Sequence, residues 1–198
     1  MMIETDRLYL RPLHMGNESF ISSMMRNPSV YKYILKQEPW PDSKIYRLLS
    51  SQQDLFVRTG YCLFGVEMKA TRTLTGYCGL QPLEDFSGTF CNEVGASWAF
   101  HEKYWGAGLA TESAAAVLDQ AFKYTSLRNI KALIHPANRG SMRVARKVGF
   151  EFEDIVFRNN RLRLMYSAFD PAYRRSISFD PTRLTKTHPA DMLNFRLA

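Results

Sequence analysis

The chain has 198 residues, 45% of them hydrophobic and 23% charged, with a net charge of +7. That is one domain's worth of chain with enough apolar residues for a core, so a disordered or low-complexity protein is excluded. No apolar run approaches the ~18 residues that cross a bilayer, and the charge points to an anionic partner rather than to a membrane span.

Several finer exclusions follow. The opening Met1-Met2-Ile3-Glu4-Thr5-Asp6-Arg7 is too polar to read as a signal peptide. Cys62, Cys78 and Cys91 are odd in number and widely spaced, giving neither a disulfide framework nor a metal set. They read as reduced thiols in strands, and the expected location is the cytoplasm. Lys and Arg are spread along the chain, so no direct nucleic-acid binding is expected.

In chain order, Leu8–Leu13 reads as a first strand stopped near Pro12. Asn17 is placed to cap a short helix with Phe20, Ile21, Met24 and Met25 at helical spacing, ended by Asn27-Pro28. A stiff loop, Gln37-Glu38-Pro39-Trp40-Pro41, leads to a longer helix capped by Asp42 or Ser43 and running to about Arg58. Three strands follow, over Tyr61–Met68, Leu74–Pro82 and Thr89–Phe100, and their short connections predict an antiparallel meander.

Next comes Lys103-Tyr104-Trp105-Gly106-Ala107-Gly108-Leu109-Ala110, opening a helix that runs to about Tyr124. Glycines tolerate unusual backbone angles, and the first amides of a helix lack intrahelical partners. A strand, a glycine turn and a helix start can therefore cradle a phosphate, or can be an ordinary tight turn. A strand over Asn129–Ile134, a helix from Asn138 to about Val148 and a hairpin of Phe150–Val156 with Leu162–Phe169 complete the pattern. The expected fold class is α/β: a single, mostly antiparallel mixed sheet of about seven strands flanked by about four helices. Residues 171–198 read as a basic C-terminal extension to a 1–170 domain.

The string Tyr104-Trp105-Gly106-x-Gly108-x-Ala110-Thr111-Glu112 resembles the acetyl-CoA loop of the GNAT N-acetyltransferases, in particular the RimJ/RimL-like branch. Three more stretches agree: Glu4-Thr5-Asp6-Arg7-Leu8-x-Leu10-Arg11-Pro12, Glu38-Pro39-Trp40-Pro41, and Pro136-x-Asn138-x-x-Ser141 leading to Lys147-x-Gly149-Phe150. The resemblance implies acetyl transfer from acetyl-CoA to a primary amine, either a protein N-terminal α-amine or a small amine, with a homodimer as one possible state. The alternatives are a non-catalytic acyl-CoA sensor and a nucleic-acid-associated module on the same fold.

The resemblance also implies roles. Lys103, Tyr104, Trp105, Gly106, Ala107, Gly108, Leu109 and Ala110 would hold the pyrophosphate. Backbone groups of Trp98, Ala99 and Phe100 would pair with the pantetheine arm, and one amide would polarise the thioester carbonyl. Asn138 would contact the same arm, or simply cap its helix. Trp40 and Glu38 would line the acceptor side; read as residues alone, Glu38, Glu84 and Asp85 either attract a cation or are solvated loop carboxylates. Glu93 is the expected base, although it stands about two residues farther from Gly106 than the family pattern places it: either the strand-to-loop segment is longer, or Glu93 is one pair farther along the strand. Many relatives carry a Tyr seven positions after the Asn as proton donor to the thiolate. Here that position is Ala145, and Ser141 is the nearest replacement. His101 is a further possible base, and no metal site is expected from either His101 or His135.

Overall fold

A computed structural model of the chain describes residues 2–34, 39–84, 90–158 and 161–176. Glu38, Asp85 and residues 177–198 lie outside them. One sheet of eight strands forms the centre, in the order β1-β2-β3-β4-β5-β6-β8-β7. The strands are β1 (Ile3–Glu4), β2 (Leu8–Pro12), β3 (Leu63–Met68), β4 (Thr73–Glu84), β5 (Phe90–Phe100), β6 (Asn129–Ile134), β7 (Glu151–Arg158) and β8 (Arg161–Phe169). The expected meander is β3-β4-β5, antiparallel throughout. The strand missing from the sequence reading is β1, two residues long and too short to carry a period-two pattern.

Among the described residues, six α-helical segments flank the sheet: α1 (Glu18–Arg26), α2 (Pro28–Tyr31), α3 (Asp42–Thr59, whose N-cap is Pro41 rather than the expected Asp42 or Ser43), α4 (Leu109–Tyr124), α5 (Arg139–Lys147) and α6 (Pro171–Ser176). Asn17 precedes α1 but does not cap it with its side chain. Its Oδ1 instead accepts from the His14 N–H at 3.1 Å, bracing the turn before the helix. Asn27-Pro28 ends α1 and also starts α2, because the Asn27 side chain accepts from the Ser29 N–H at 2.9 Å and Pro occupies the first helical position. The segment after Asp170 begins as α6, and Arg174 ties it to Glu151 at 2.8 Å.

Strand alternation sends side chains to two cores. On one face Val94, Phe100, Ile130, Ala132, Leu164 and Tyr166 pack with Leu109, Val117 and Leu118 of α4 and with Met142 and Ala145 of α5. On the other, Leu63, Tyr77 and Ala99 pack with Ile21, Met24 and Met25 of α1 and with Ile45 and Leu49 of α3. Burying each large side chain stabilises the fold by roughly 1.5–3 kcal/mol. Cys62 and Cys78 are buried free thiols, and burial pushes both up to about 12. Among the described residues, no helix is long and apolar enough to cross a membrane.

The feature that positions the site is the junction of β5 and β6. These strands are parallel and, among the described residues, are registered at one pair, Gly95↔Lys131. Beyond that pair the strands continue to Phe100 and Ile134, and the sheet opens between them.

Candidate active site

The glycine turn sits at the N-terminus of α4. Gly106 and Gly108 have φ of +80° and +81°, a region that side chains with a Cβ rarely enter. Gly108 is the N-cap residue and offers no side chain, and the first helical bond runs from the Glu112 N–H to the Gly108 carbonyl. The amides of Leu109, Ala110 and Thr111 are therefore left for a ligand, at the positive end of a 16-residue helix. A Cβ at Gly106 would meet no atom within 4 Å, so the space in front of the turn is open.

The turn is braced from a distance. Arg7 donates from Nε to Glu112 at 2.7 Å and from Nη1 to the Ala107 carbonyl at 3.0 Å. Thr5 and the Arg7 N–H also donate to Glu112. Burial alone would raise the Glu112 carboxyl, but these bonds outweigh it and hold it below the usual carboxylate range. Trp105 is half exposed, and its indole N–H donates to the Phe100 carbonyl at 2.7 Å, closing the strand end onto the turn. Tyr104 packs against the larger core, with the Lys103 ammonium over its ring at 4.9 Å.

Just past the end of β5, the His101 N–H donates to the Thr75 carbonyl of β4. Alternation then turns the N–H groups of Trp98 and Phe100 to the opposite edge, into the gap beside β6, while Ala99 turns to β4. The Trp98 indole crosses to α5 and donates to Ser141 Oγ at 3.2 Å. Asn138 does cap α5, accepting from the Ser141 N–H at 3.0 Å, and it also borders the gap. Ala145, the position that would carry a Tyr, is wholly buried.

A cleft of about 1100 Å³ runs from this gap to α3. Trp98, Asn138 and Ser141 lie along it, as does Trp40, which is 8% exposed with the Lys44 ammonium 4.0 Å over its ring. Lys44, Leu48, Ser51, Leu55 and Arg58 face it from one stripe of α3 at helical spacing. Tyr33, Tyr77, Ser97, His135 and Arg163 add to its polar wall, and none of these five carried a role in the sequence reading except the weighing of His135. Strand alternation could have marked Tyr77 and Ser97 as facing α3. Burial pushes the Tyr77 phenol up to about 12. His135 is held below its usual value, first by burial and then by the charges of Arg163 and Arg161. Its Nδ1 accepts from the Ala137 N–H at 3.1 Å, which leaves Nε2 to carry the proton of the neutral ring.

Glu93 does not line this cleft. It is exposed and borders a neighbouring cavity of about 440 Å³ with Arg58, Thr59, Pro82, Val94 and Thr125. The register explains its place. The β4–β5 ladder is regular from Gly76↔Phe100 to Pro82↔Val94, and Glu93 stands just beyond it. Gly95 stands two residues nearer the glycine turn on the same strand face, and a Cβ there would collide with Leu83 Cδ2 at 2.4 Å. His101 also stays outside the cleft, its Nδ1 accepting from the Lys103 N–H.

Comparisons with known proteins agree with this architecture. The model of the family described as "Acetyltransferase (GNAT) domain" matches residues 7–151. Among curated relatives, the uncharacterized protein YkkB of Bacillus subtilis is 34% identical over 102 residues, 52% of this chain and 58% of that one. The uncharacterized N-acetyltransferase p20 of Bacillus licheniformis is 25% identical over 77% of this chain and 83% of its own. Among solved structures, a putative GnaT-family acetyltransferase from Bordetella pertussis shares the fold at TM-score 0.72 and 22% identity, covering 85% of this chain and 99% of that one. AAC(6')-Ib in complex with ribostamycin and coenzyme A has TM-score 0.69 at 14% identity, over 88% and 100% of the two chains. RimL, the ribosomal L7/L12 α-N-protein acetyltransferase, in complex with coenzyme A, has 0.68 at 15%, over 86% and 99%. The chain belongs to the GNAT acetyltransferase family.

Proposed function

We propose that the protein transfers an acetyl group from acetyl-CoA to a primary amine, with a RimJ/RimL-like enzyme as the nearer model. The observation that carries this reading is the pairing of an open glycine cradle at α4 with an unzipped strand edge at Trp98–Phe100. An elongated donor with a phosphate end and an amide-bearing arm fits both. Acetyl-CoA supplies the activated acetyl group as a thioester.

The Leu109, Ala110 and Thr111 amides bind the phosphate end, each hydrogen bond to a charged group adding about 1.5–3 kcal/mol. The Trp98 and Phe100 N–H groups face the gap, where a donor can stabilise negative charge developing on the thioester oxygen. Ser141 accepts from the Trp98 indole, so its own hydroxyl hydrogen is free to point into the cleft and protonate the departing thiolate.

The amine must be neutral to attack. An α-amine starts at a pKa of ~7.7–8.0 against ~10.4 for lysine, a difference of about 3.5 kcal/mol in deprotonation cost. The described cleft residues include Lys44, Arg47, Arg58 and Arg163 and no carboxylate. Like charges disfavour an ammonium, so this wall helps release the proton to solvent. Glu93 would act only at one remove, through water in the cavity that shares Arg58, Thr59 and Pro82 with the cleft.

Thiol release from acetyl-CoA, followed across N-terminal peptides and small amines, tests the reading. Amine-dependent release with an acetylated product is expected, whereas tight acetyl-CoA binding with no transfer would favour the sensor. A Glu93→Gln variant is expected to lose less than about tenfold in kcat; a loss of ~10²-fold or more would restore Glu93 as the direct base.

A further inference from the structure

Two cations are buried on the cleft-facing side of β6 and β8. Lys131 is 7% exposed, and its ammonium meets Glu153 at 2.5 Å and Ser167 at 2.9 Å. Arg163 is also 7% exposed, two residues from the hairpin end of β8, but it has no such partner. Its side chain makes one hydrogen bond, from Nη1 to the neighbouring Leu162 carbonyl at 3.1 Å, and it enters no ion pair among the described residues. A guanidinium presents five donors, and leaving a buried charge without a counter-ion is costly. Evolution of an apolar residue at this position would be the simpler solution for stability alone.

The surroundings repeat the same sign. His135 lies close enough to feel the Arg163 charge, and its Nε2–H is a donor in the same wall. Lys44, Arg47 and Arg58 face the cleft from α3, and no Asp or Glu joins them among the described lining residues. The glycine turn is not part of the cleft wall, so these cations are separate from the phosphate cradle. A polycationic acceptor would meet repulsion on both sides.

Resting on the acetyl-transfer reading, we infer that the amine acceptor also carries an anionic oxygen group, a carboxylate or a phosphate, which Arg163 receives. The acceptor is thus zwitterionic at the point of entry: an amino acid, a phosphorylated amine or an acidic N-terminal peptide. The same wall that lowers the ammonium pKa would repel a bare cation, and the anionic group offsets that repulsion. Arg163 is a specificity residue in this scheme, holding the acceptor while the reacting amine lies toward Ser141 and Trp98.

The acetylated product isolates the effect from amine ionisation. Binding to the full chain would be measured by calorimetry, with and without CoA, for a set of N-acetyl-L-amino acids (apolar, aromatic and acidic side chains) against their carboxamides. N-acetyl-O-phosphoserine amide against N-acetylserine amide forms the phosphate arm. At least one acid is expected to bind about tenfold or more tightly than its neutral counterpart; which arm responds identifies the group. Arg163→Gln is expected to bring that ratio near one with CoA binding intact, and Arg163→Lys to keep part of it. Equal binding of acid and amide, an unchanged ratio in Arg163→Gln, or no acid bound at millimolar concentration would overturn the inference. Failure to bind acetyl-CoA would instead count against the acetyl-transfer reading, and the acid-to-amide ratio without CoA would still report on Arg163.

Discussion

Arg7 reaches across 105 positions of sequence to place its Nε 2.7 Å from Glu112 Oε2, joining the entry to the first long strand to the first turn of α4. The same guanidinium donates to the Ala107 carbonyl inside the glycine turn. Two motifs that look independent in the sequence are therefore one device, which fixes the turn without occupying its amides. Arg7→Met is expected to weaken acetyl-CoA binding by about tenfold and to cost roughly 1–2 kcal/mol of stability. Calorimetric titration and urea unfolding measure the two effects; unchanged donor affinity would reduce the pair to a fold contact.

Glu112 adds an acid dependence with a definite sign. Its folded-state carboxyl is held below the ordinary value, so its contribution is present above the unfolded pKa of ~4.3 and is lost as pH falls through the lower folded value. Glu112→Gln should be less stable than the parent at pH 7, and the gap should shrink as pH falls below ~4.3 through the lower folded value. A gap that is constant with pH would contradict this assignment.

At Gly106 and Gly108, a Cβ would impose left-handed strain of about 1–2 kcal/mol. Gly106 has free space around it, so Gly106→Ala should fold with a modest loss of stability while the KM for acetyl-CoA rises by about tenfold. Steady-state kinetics beside a melting curve separates the two. A stability loss with no change in KM would make the turn purely structural.

Much of this was legible in the sequence because it is local. The alternation in β3–β6, the helix from Asn138 to about Val148 and the glycine turn before α4 each follow from a short run of residues. The Asn138 cap was also legible as one of two readings, and the structure gives it both a cap and a place beside the gap. What a single run cannot carry is pairing. The β4–β5 register puts Glu93 beyond the regular ladder and outside the cleft, and the Arg7–Glu112 bond links segments with no local signal for each other. Arg163 was unremarkable in an Arg-rich hairpin; only burial without a counter-ion, beside the properly paired Lys131, sets it apart.

Removing the Arg163 charge should be visible at His135. Burial and then Arg163 hold the imidazole below its usual pKa. In Arg163→Gln the ring should titrate higher, which NMR of the His135 ring protons can follow. Because the folded value is depressed, His135 lowers stability as pH falls through its unfolded value of ~6.5 toward the folded one. That acid-side loss should be smaller in the variant. An unmoved titration would separate the two side chains.

Ser141→Ala tests the thiolate end. The Trp98 indole would lose its acceptor, and kcat should fall by ~10-fold or more at saturating acetyl-CoA, with most of the loss removed by donors whose thiol leaves at lower pKa. A uniform rise in KM without a change in kcat would mark Ser141 as a packing hydroxyl only.

The most direct measurement of the central claim is product mass spectrometry after incubation with acetyl-CoA and zwitterionic or neutral amines, alongside thiol release. The expected result is an N-acetylated amine formed in step with released thiol, fastest for acceptors that carry an anionic group, and lost together in Gly108→Val. Saturable acetyl-CoA binding with thiol release no faster than buffer for every amine would contradict the proposed function.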